Sequence, residues 1–149
     1  VMWIRNLGPA VTEVYGPARA FVIFSLAGAA GFLVSNSLTG SPSIGASGSI
    51  FGLLAALIVY GRKRGGSMMT MQLWQWAAVM FAMGFFMSGV NNWAHAGGFA
   101  GGWATAAAMR FSEKRESRGV QLLALALLGL TAAGIVLSFI KVTGILLTR

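Results

Sequence analysis

Long apolar segments alternate with short polar or basic ones along this chain. Residues 21–38, for example, are long enough for a helix that crosses a bilayer. Residues 1–7 predict the end of one more helix, which Gly8 and Pro9 terminate, and residues 12–19 predict a loop on the membrane surface. The pattern therefore predicts an all-α polytopic membrane protein with five complete transmembrane helices and the end of another. The five predicted spans are residues 21–38, 47–60, 71–90, 94–109 and 120–140, with a short tail after the last.

Composition supports a membrane location. The chain has 149 residues, of which 56% are hydrophobic and 9% are charged, whereas soluble domains carry about 25% charged residues. The net charge is +8, but the basic residues form short clusters between apolar segments, without the interleaved aromatics of a nucleic-acid interface. We therefore expect anionic lipid headgroups in the bilayer as the counter-charge and no nucleic-acid partner.

The basic residues also predict an orientation. If the loop that begins at Arg62 is cytoplasmic, alternation of the spans places nine of the eleven basic residues on that side, and only Lys141 and Arg149 opposite. This distribution satisfies the positive-inside rule. The loops before Ser47 and before His95 then open to the extracytoplasmic side of a multi-pass protein, which we expect to reside in a bacterial inner membrane.

Ser47 and His95 are the candidates for chemistry. Ser47 lies where a loop rich in Gly, Ser and Pro gives way to an apolar helix, and His95 is the single histidine. The chain contains neither Cys nor Asp, which excludes thiol chemistry and a Ser-His-Asp triad within it. His95 is thus almost the only group able to accept a proton near neutral pH.

The spacing of these two residues predicts that they share a depth. Ser47 precedes Arg62 by 15 residues, and His95 precedes Arg110 by the same 15, so each lies roughly 22 Å above the basic end of its helix. In a hydrocarbon core about 30 Å thick, both would lie about 8 Å below the opposite surface. Helix packing through small residues is the alternative interpretation of the serine loop, and a proton relay in a channel or transporter is the alternative for His95.

Together these motifs resemble the rhomboid family of intramembrane serine proteases. Gly45-Ala46-Ser47-Gly48 is similar to the family's G-x-S-G, and Ala94-His95-Ala96-Gly97-Gly98 with Gly102 resembles its A-H-x-x-G-x-x-x-G. Residues 3–8 with Gly16 are similar to the end of the family's second core helix and the turn after it. Two positions depart from the family pattern: Glu13 stands one residue after the expected glutamate, and Asn91 stands where an Asp is common.

The resemblance implies a rhomboid-like helical bundle and a division of the chain. Residues 1–111 correspond to a partial protease core that lacks the first helix and most of the second. Residues 112–149 correspond to a cytoplasmic loop and an additional C-terminal transmembrane helix. In the family, a histidine and an asparagine on the second core helix help to bind the oxyanion, and they would lie just before Val1. We therefore expect the 149-residue chain itself to be weakly active or inactive, although its full-length parent is active.

The resemblance also implies an activity, with no cofactor and no metal. This would be hydrolysis of transmembrane helices of protein substrates, with Ser47 as nucleophile, His95 as general base and the Ser47 backbone N–H as an oxyanion donor. Phe51 would stack on the imidazole. Gly45, Gly48, Gly98 and Gly102 would support the site, since glycines on one face let two helices approach closely. The alternative within the family is an inactive relative that binds membrane helices.

Overall fold

Six helices build the chain in the computed structural model, which describes residues 2–40, 45–87, 89–109 and 115–147. No β-strand occurs in these ranges, so the all-helical prediction is confirmed. The predicted loop residues 41–43, the basic residues Arg110 and Lys114, and the terminal Val1 and Arg149 lie outside them. The helices are α1 (Met2–Tyr15), α2 (Pro17–Thr39), α3 (Ser47–Arg64), α4 (Ser67–Phe86), α5 (Asn92–Ala108) and α6 (Arg118–Leu147).

Two helices in the described part of the chain are long and apolar enough to cross a membrane by length and composition. They are α2, over Pro17–Thr39, and α6, over Arg118–Thr143. Helix α3 has 18 residues and ends in three basic ones, and α5 has 17 residues. The fold thus supports an apolar helical bundle, while the count of five complete spans stays a prediction.

The expected end of the first helix at Gly8 and Pro9 is wrong, because α1 continues through Pro9 to Tyr15. Leu7, Val11 and Tyr15 recur every fourth residue and are buried in the core against α3. The Tyr15 hydroxyl also donates a buried 3.0 Å hydrogen bond to the carbonyl of Ala56. This tertiary packing outweighs the helix-breaking preference of Pro9.

The predicted surface loop over residues 12–19 is likewise wrong, since α1 and α2 are separated only by Gly16. Gly16 has φ +91°, which favours glycine, and Pro17 opens α2 with its preset φ. The Arg19 guanidinium donates to the carbonyl of Tyr15 at 3.1 Å, and the Glu116 carboxylate accepts from the Arg19 backbone N–H at 2.8 Å. A carboxylate at a helix N-terminus is stabilising, so Glu116 ties the segment before α6 to the start of α2.

The centre of the bundle is the packing of α2, α3 and α5. Where α3 and α5 meet, a Cβ added to Gly98 would overlap the backbone of Gly48, and one added to Gly102 would overlap the backbone of Gly52. The two glycine pairs follow each other in the same direction along both helices. Helices α3 and α5 are therefore parallel and in contact through their backbones, as the glycine spacing predicted.

Helices α4 and α6 lie at the periphery. Helix α4 packs mainly against α3, and α6 contacts α2. Apolar residues of both helices are exposed, including Phe85 and Phe86 of α4 and Phe139 of α6. The predicted tail after residue 140 is wrong, because α6 continues to Leu147 through residues that are mostly apolar and carry no helix breaker at its end.

Gly102→Ala tests whether this backbone contact stabilises the bundle. The new methyl group would overlap the Gly52 backbone, so we expect the free energy of unfolding to fall by about 1–3 kcal/mol. Gly129→Ala on α6 is the matched control, since its Cβ meets nothing within 4 Å. Thermal unfolding in detergent measures both variants. Equal melting temperatures for the two would contradict close α3–α5 packing.

Candidate active site at the first turns of two parallel helices

Ser47 is the first residue of α3. The two residues before it form a bend in which Gly45 has φ +123°, a backbone conformation that L side chains rarely adopt. Glycine is therefore required at this position of the motif for the chain to turn into the helix. The Ser47 side chain is half-buried, so it is held by the bundle while it remains accessible.

The start of α3 lacks a side-chain cap. Its N-cap residue is Ala46, whose methyl group cannot accept a hydrogen bond, and no side-chain cap is formed. The first N–H groups of a helix have no partner within the helix, and the helix dipole adds partial positive charge there. The Ser47 backbone N–H is thus one of a set of amides suited to an anionic oxygen.

His95 lies in the first turn of α5. Unlike α3, this helix has a side-chain cap at its start. The Asn91 side chain accepts hydrogen bonds from the backbone N–H groups of Trp93 and Ala94, at 3.0 and 3.3 Å. Its amide group donates to the hydroxyl of the fully buried Ser35 on α2 at 2.6 Å. Asn91 therefore fixes both the start of the His95 helix and its contact with α2.

The His95 ring stacks on Phe51. Their ring centroids are 4.4 Å apart and their planes differ by 18°, which is the contact that the motif predicted. His95 is only 6% exposed, and its Nδ1 is buried with no hydrogen-bond partner in the described part of the chain. The orientation of the imidazole therefore depends on packing against Phe51.

The glycine contacts place Ser47 and His95 at one level. A Cβ on Gly48 would lie 3.1 Å from the Ala94 carbonyl oxygen, and one on Gly31 of α2 would lie 2.5 Å from the same atom. Gly48 follows Ser47 and Ala94 precedes His95, so the first turns of α3 and α5 lie side by side. This contact agrees with the equal depth expected from sequence spacing.

Ser47 and His95 nevertheless line different cavities. Ser47 borders a small one of about 50 Å³ between α2, α3 and α5. His95 borders a larger one of about 320 Å³ between α4 and α5, together with Trp74, Phe81 and Phe99. Among the residues that the structure describes, Ser47 and His95 form no hydrogen bond with each other, and no group of His, Asp or Glu side chains could hold a metal. Catalytic hydrogen bonds often form only once substrate is bound.

Comparison with known proteins gives two matches. The Rhomboid domain profile matches residues 1–112. The chain is also 34% identical over 137 residues to the Rhomboid protease GluP of Bacillus subtilis (strain 168), an alignment that covers 87% of this chain and 26% of that protein. The chain belongs to the rhomboid family. It spans about a quarter of the length of this curated relative.

Membership in the rhomboid family implies an integral membrane protein and places the chain in a family of intramembrane proteases. The sequence motifs located the two helix starts but did not predict the contact between Asn91 and Ser35. The signal was present in the sequence, because an Asn immediately before an apolar helix is a typical N-cap. Ser35 could not be assigned to it, since 56 residues separate the two.

Asn91→Ala removes the cap of α5 and leaves the Ser35 hydroxyl without its donor. We expect the free energy of unfolding to fall by about 1–2 kcal/mol, the usual effect of losing an N-cap. Asn91→Asp is the matched variant: its carboxylate still accepts from the helix amides, and Ser35 can donate to it. The melting temperature of Asn91→Asp should therefore be close to that of the unsubstituted protein, and that of Asn91→Ala should be well below both. The reverse order would show that Asn91 does not cap α5.

Proposed function

We propose that this chain carries the catalytic dyad of an intramembrane serine endopeptidase, with Ser47 as nucleophile and His95 as general base. The observation that carries the proposal is the Phe51–His95 stack. Phe51 lies one helical turn after Ser47, so the stack fixes the imidazole within one turn of the serine. Contact between Gly48 and Gly98 supports the same arrangement.

In the proposed reaction, His95 accepts the proton of the Ser47 hydroxyl as Oγ attacks the carbonyl carbon of the scissile peptide bond. The tetrahedral intermediate collapses to an acyl-enzyme, and the imidazolium gives its proton to the departing amine. Water then attacks the ester, with His95 again as base, and the free serine is restored. No cofactor or metal is required by these steps.

The oxyanion of the tetrahedral intermediate is proposed to meet the Ser47 backbone N–H. The uncapped start of α3 favours this role because no side chain competes for its amides. Gly45 and Gly48 flank the serine and let the chain turn and pack tightly around it. Gly98 and Gly102 let the backbones of α5 and α3 come into contact, which supports the proposed role of His95.

The proposed substrate is a transmembrane helix of another membrane protein, cleaved near its outer end. A helical peptide bond is shielded from a nucleophile, so the substrate must unwind locally before attack. We propose that α2 to α6 each cross the bilayer, with Ser47 and His95 opening to the extracytoplasmic side, as the basic residues predict. The polar segments that precede the two helices in the sequence, residues 39–43 and 91–92, would admit the water that deacylation requires.

The second candidate function is binding of membrane helices without catalysis. The observation in its favour is that Ser47 and His95 are not hydrogen-bonded and line separate cavities. The two functions differ in the reactivity of the serine. An activated nucleophile reacts with an electrophilic probe, whereas an ordinary helix serine does not.

A fluorophosphonate probe tests the dyad directly in the protein reconstituted in liposomes. We expect slow covalent labelling, in line with the weak activity expected of this chain, that Ser47→Ala abolishes and that His95→Ala slows further by at least about 100-fold, since a general base contributes that much or more. Ser49→Ala is the matched control, because Ser49 lies two residues further along α3 and is buried against Gly28. Absence of labelling, or labelling that survives Ser47→Ala, would support the non-catalytic function.

The Phe51 stack is tested by comparing Phe51→Leu with Phe51→Tyr. Loss of the aromatic face should slow probe labelling by about fivefold, because such contacts contribute on the order of 1 kcal/mol, while Tyr should retain the rate. Phe139→Leu on the exposed face of α6 should change nothing. If Phe51→Leu labels at the original rate, the stack does not position His95.

A further inference from the structure

At the opposite end of α3 from Ser47, the turn into α4 borders a second, open cavity at the surface. Its volume is about 430 Å³, and it is lined by three glycines of the turn with Arg62, Thr70, Met71 and Trp74. Gly65 takes a left-handed conformation, with φ +74°, that ends α3. A Cβ on Gly61 would overlap the Thr70 hydroxyl. The turn is thus tight, and the cavity is part of the fold.

Arg62 is the charged residue in this cavity. Its guanidinium carbon lies 5.4 Å from the centroid of the Trp103 ring on α5, so a cation–π contact holds it in place. No carboxylate forms an ion pair with Arg62 among the described residues, and the whole chain has only three acidic residues. A guanidinium on an aromatic face keeps its N–H groups available in a planar fork that matches phosphate oxygens.

Two further cations lie beside Arg62. Lys63 donates to the carbonyl of Ala107 at 3.3 Å, and the Arg64 guanidinium lies 5.8 Å from the ring of Tyr60. Both cations follow Arg62 directly in the last turn of α3. The end of α3 therefore concentrates positive charge beside the cavity.

Apolar side chains lie next to this charge. Met71 and Trp74 line the cavity and are exposed, as are Met68 and Met69 at the start of α4. A tryptophan beside basic residues at a helix end is typical of the boundary between headgroups and acyl chains. A ligand that fits must therefore offer an anionic group to Arg62 and a hydrocarbon chain to α4.

We propose that this cavity binds the phosphate headgroup of an anionic phospholipid, with Arg62 as its main ligand and Met71 and Trp74 in contact with an acyl chain. Basic cavities between membrane helices bind such headgroups. Free phosphate shares the anionic chemistry, but it would leave the apolar part of the surface uncovered. The site lies apart from Ser47 and does not depend on the proposed protease function.

Tryptophan fluorescence provides a direct test, since Trp74 and Trp103 border the site. Brominated phosphatidylglycerol is titrated into the purified protein in non-ionic detergent, and brominated phosphatidylcholine serves as the neutral-headgroup probe. We expect saturable quenching, with half-saturation at about fivefold lower concentration for the anionic lipid. Arg62→Gln should raise that concentration about fivefold, the usual contribution of one basic side chain at an anionic lipid surface.

Arg118→Gln is the matched control, because Arg118 is an exposed basic residue at the start of α6 and does not line the cavity. It should bind the anionic lipid as the unsubstituted protein does. A circular dichroism melt establishes that each variant is folded. Equal quenching by both lipids, or an unchanged titration in Arg62→Gln, would overturn the proposal. The proposal would also be overturned if sodium phosphate competed with the brominated lipid as strongly as unbrominated phosphatidylglycerol does, since free phosphate would then be the ligand.

Discussion

The backbone contact between α3 and α5 is the constraint on which the candidate site depends. Lipid tails are as apolar as leucine, so helices in a bilayer associate through close packing more than through burial of apolar surface. Gly48 against Gly98 and Gly52 against Gly102 permit that packing, since a Cβ on either α5 glycine would overlap α3. Because the helices are parallel, the same contact places the first turn of α3 beside the first turn of α5.

The two helix starts are treated differently, and the difference matches their proposed roles. Asn91 accepts from the first amides of α5 and donates to Ser35, so the helix that carries His95 is fixed at its end. Helix α3 starts at Ser47, and its N-cap residue Ala46 forms no side-chain cap. Its first amides have no side-chain acceptor, which suits the proposed oxyanion role of the Ser47 backbone N–H. The helix of the proposed base His95 is thus capped, whereas the helix of the proposed nucleophile Ser47 has no side-chain cap.

Aromatic rings connect the two ends of the bundle. Phe99 lines the cavity beside His95 and contacts Trp74, which also contacts Trp103. Trp103 in turn holds Arg62 at the basic end. Helix α4 contributes Trp74 to this ring cluster. The cavity at each end of the cluster is bordered by that same tryptophan.

The helical class, the start of α3 at Ser47, the rhomboid family and the glycine face between α3 and α5 could all be predicted from the sequence, because hydrophobic period and motif spacing are local. It failed at Pro9 and at residues 12–19, where burial of Val11 and Tyr15 against α3 extends α1. Three features could be found only by folding the chain: the contact of Asn91 with Ser35, the contact of Trp103 with Arg62, and the separate cavities beside Ser47 and His95. Those contacts join residues distant along the chain, and their geometry depends on how whole helices pack.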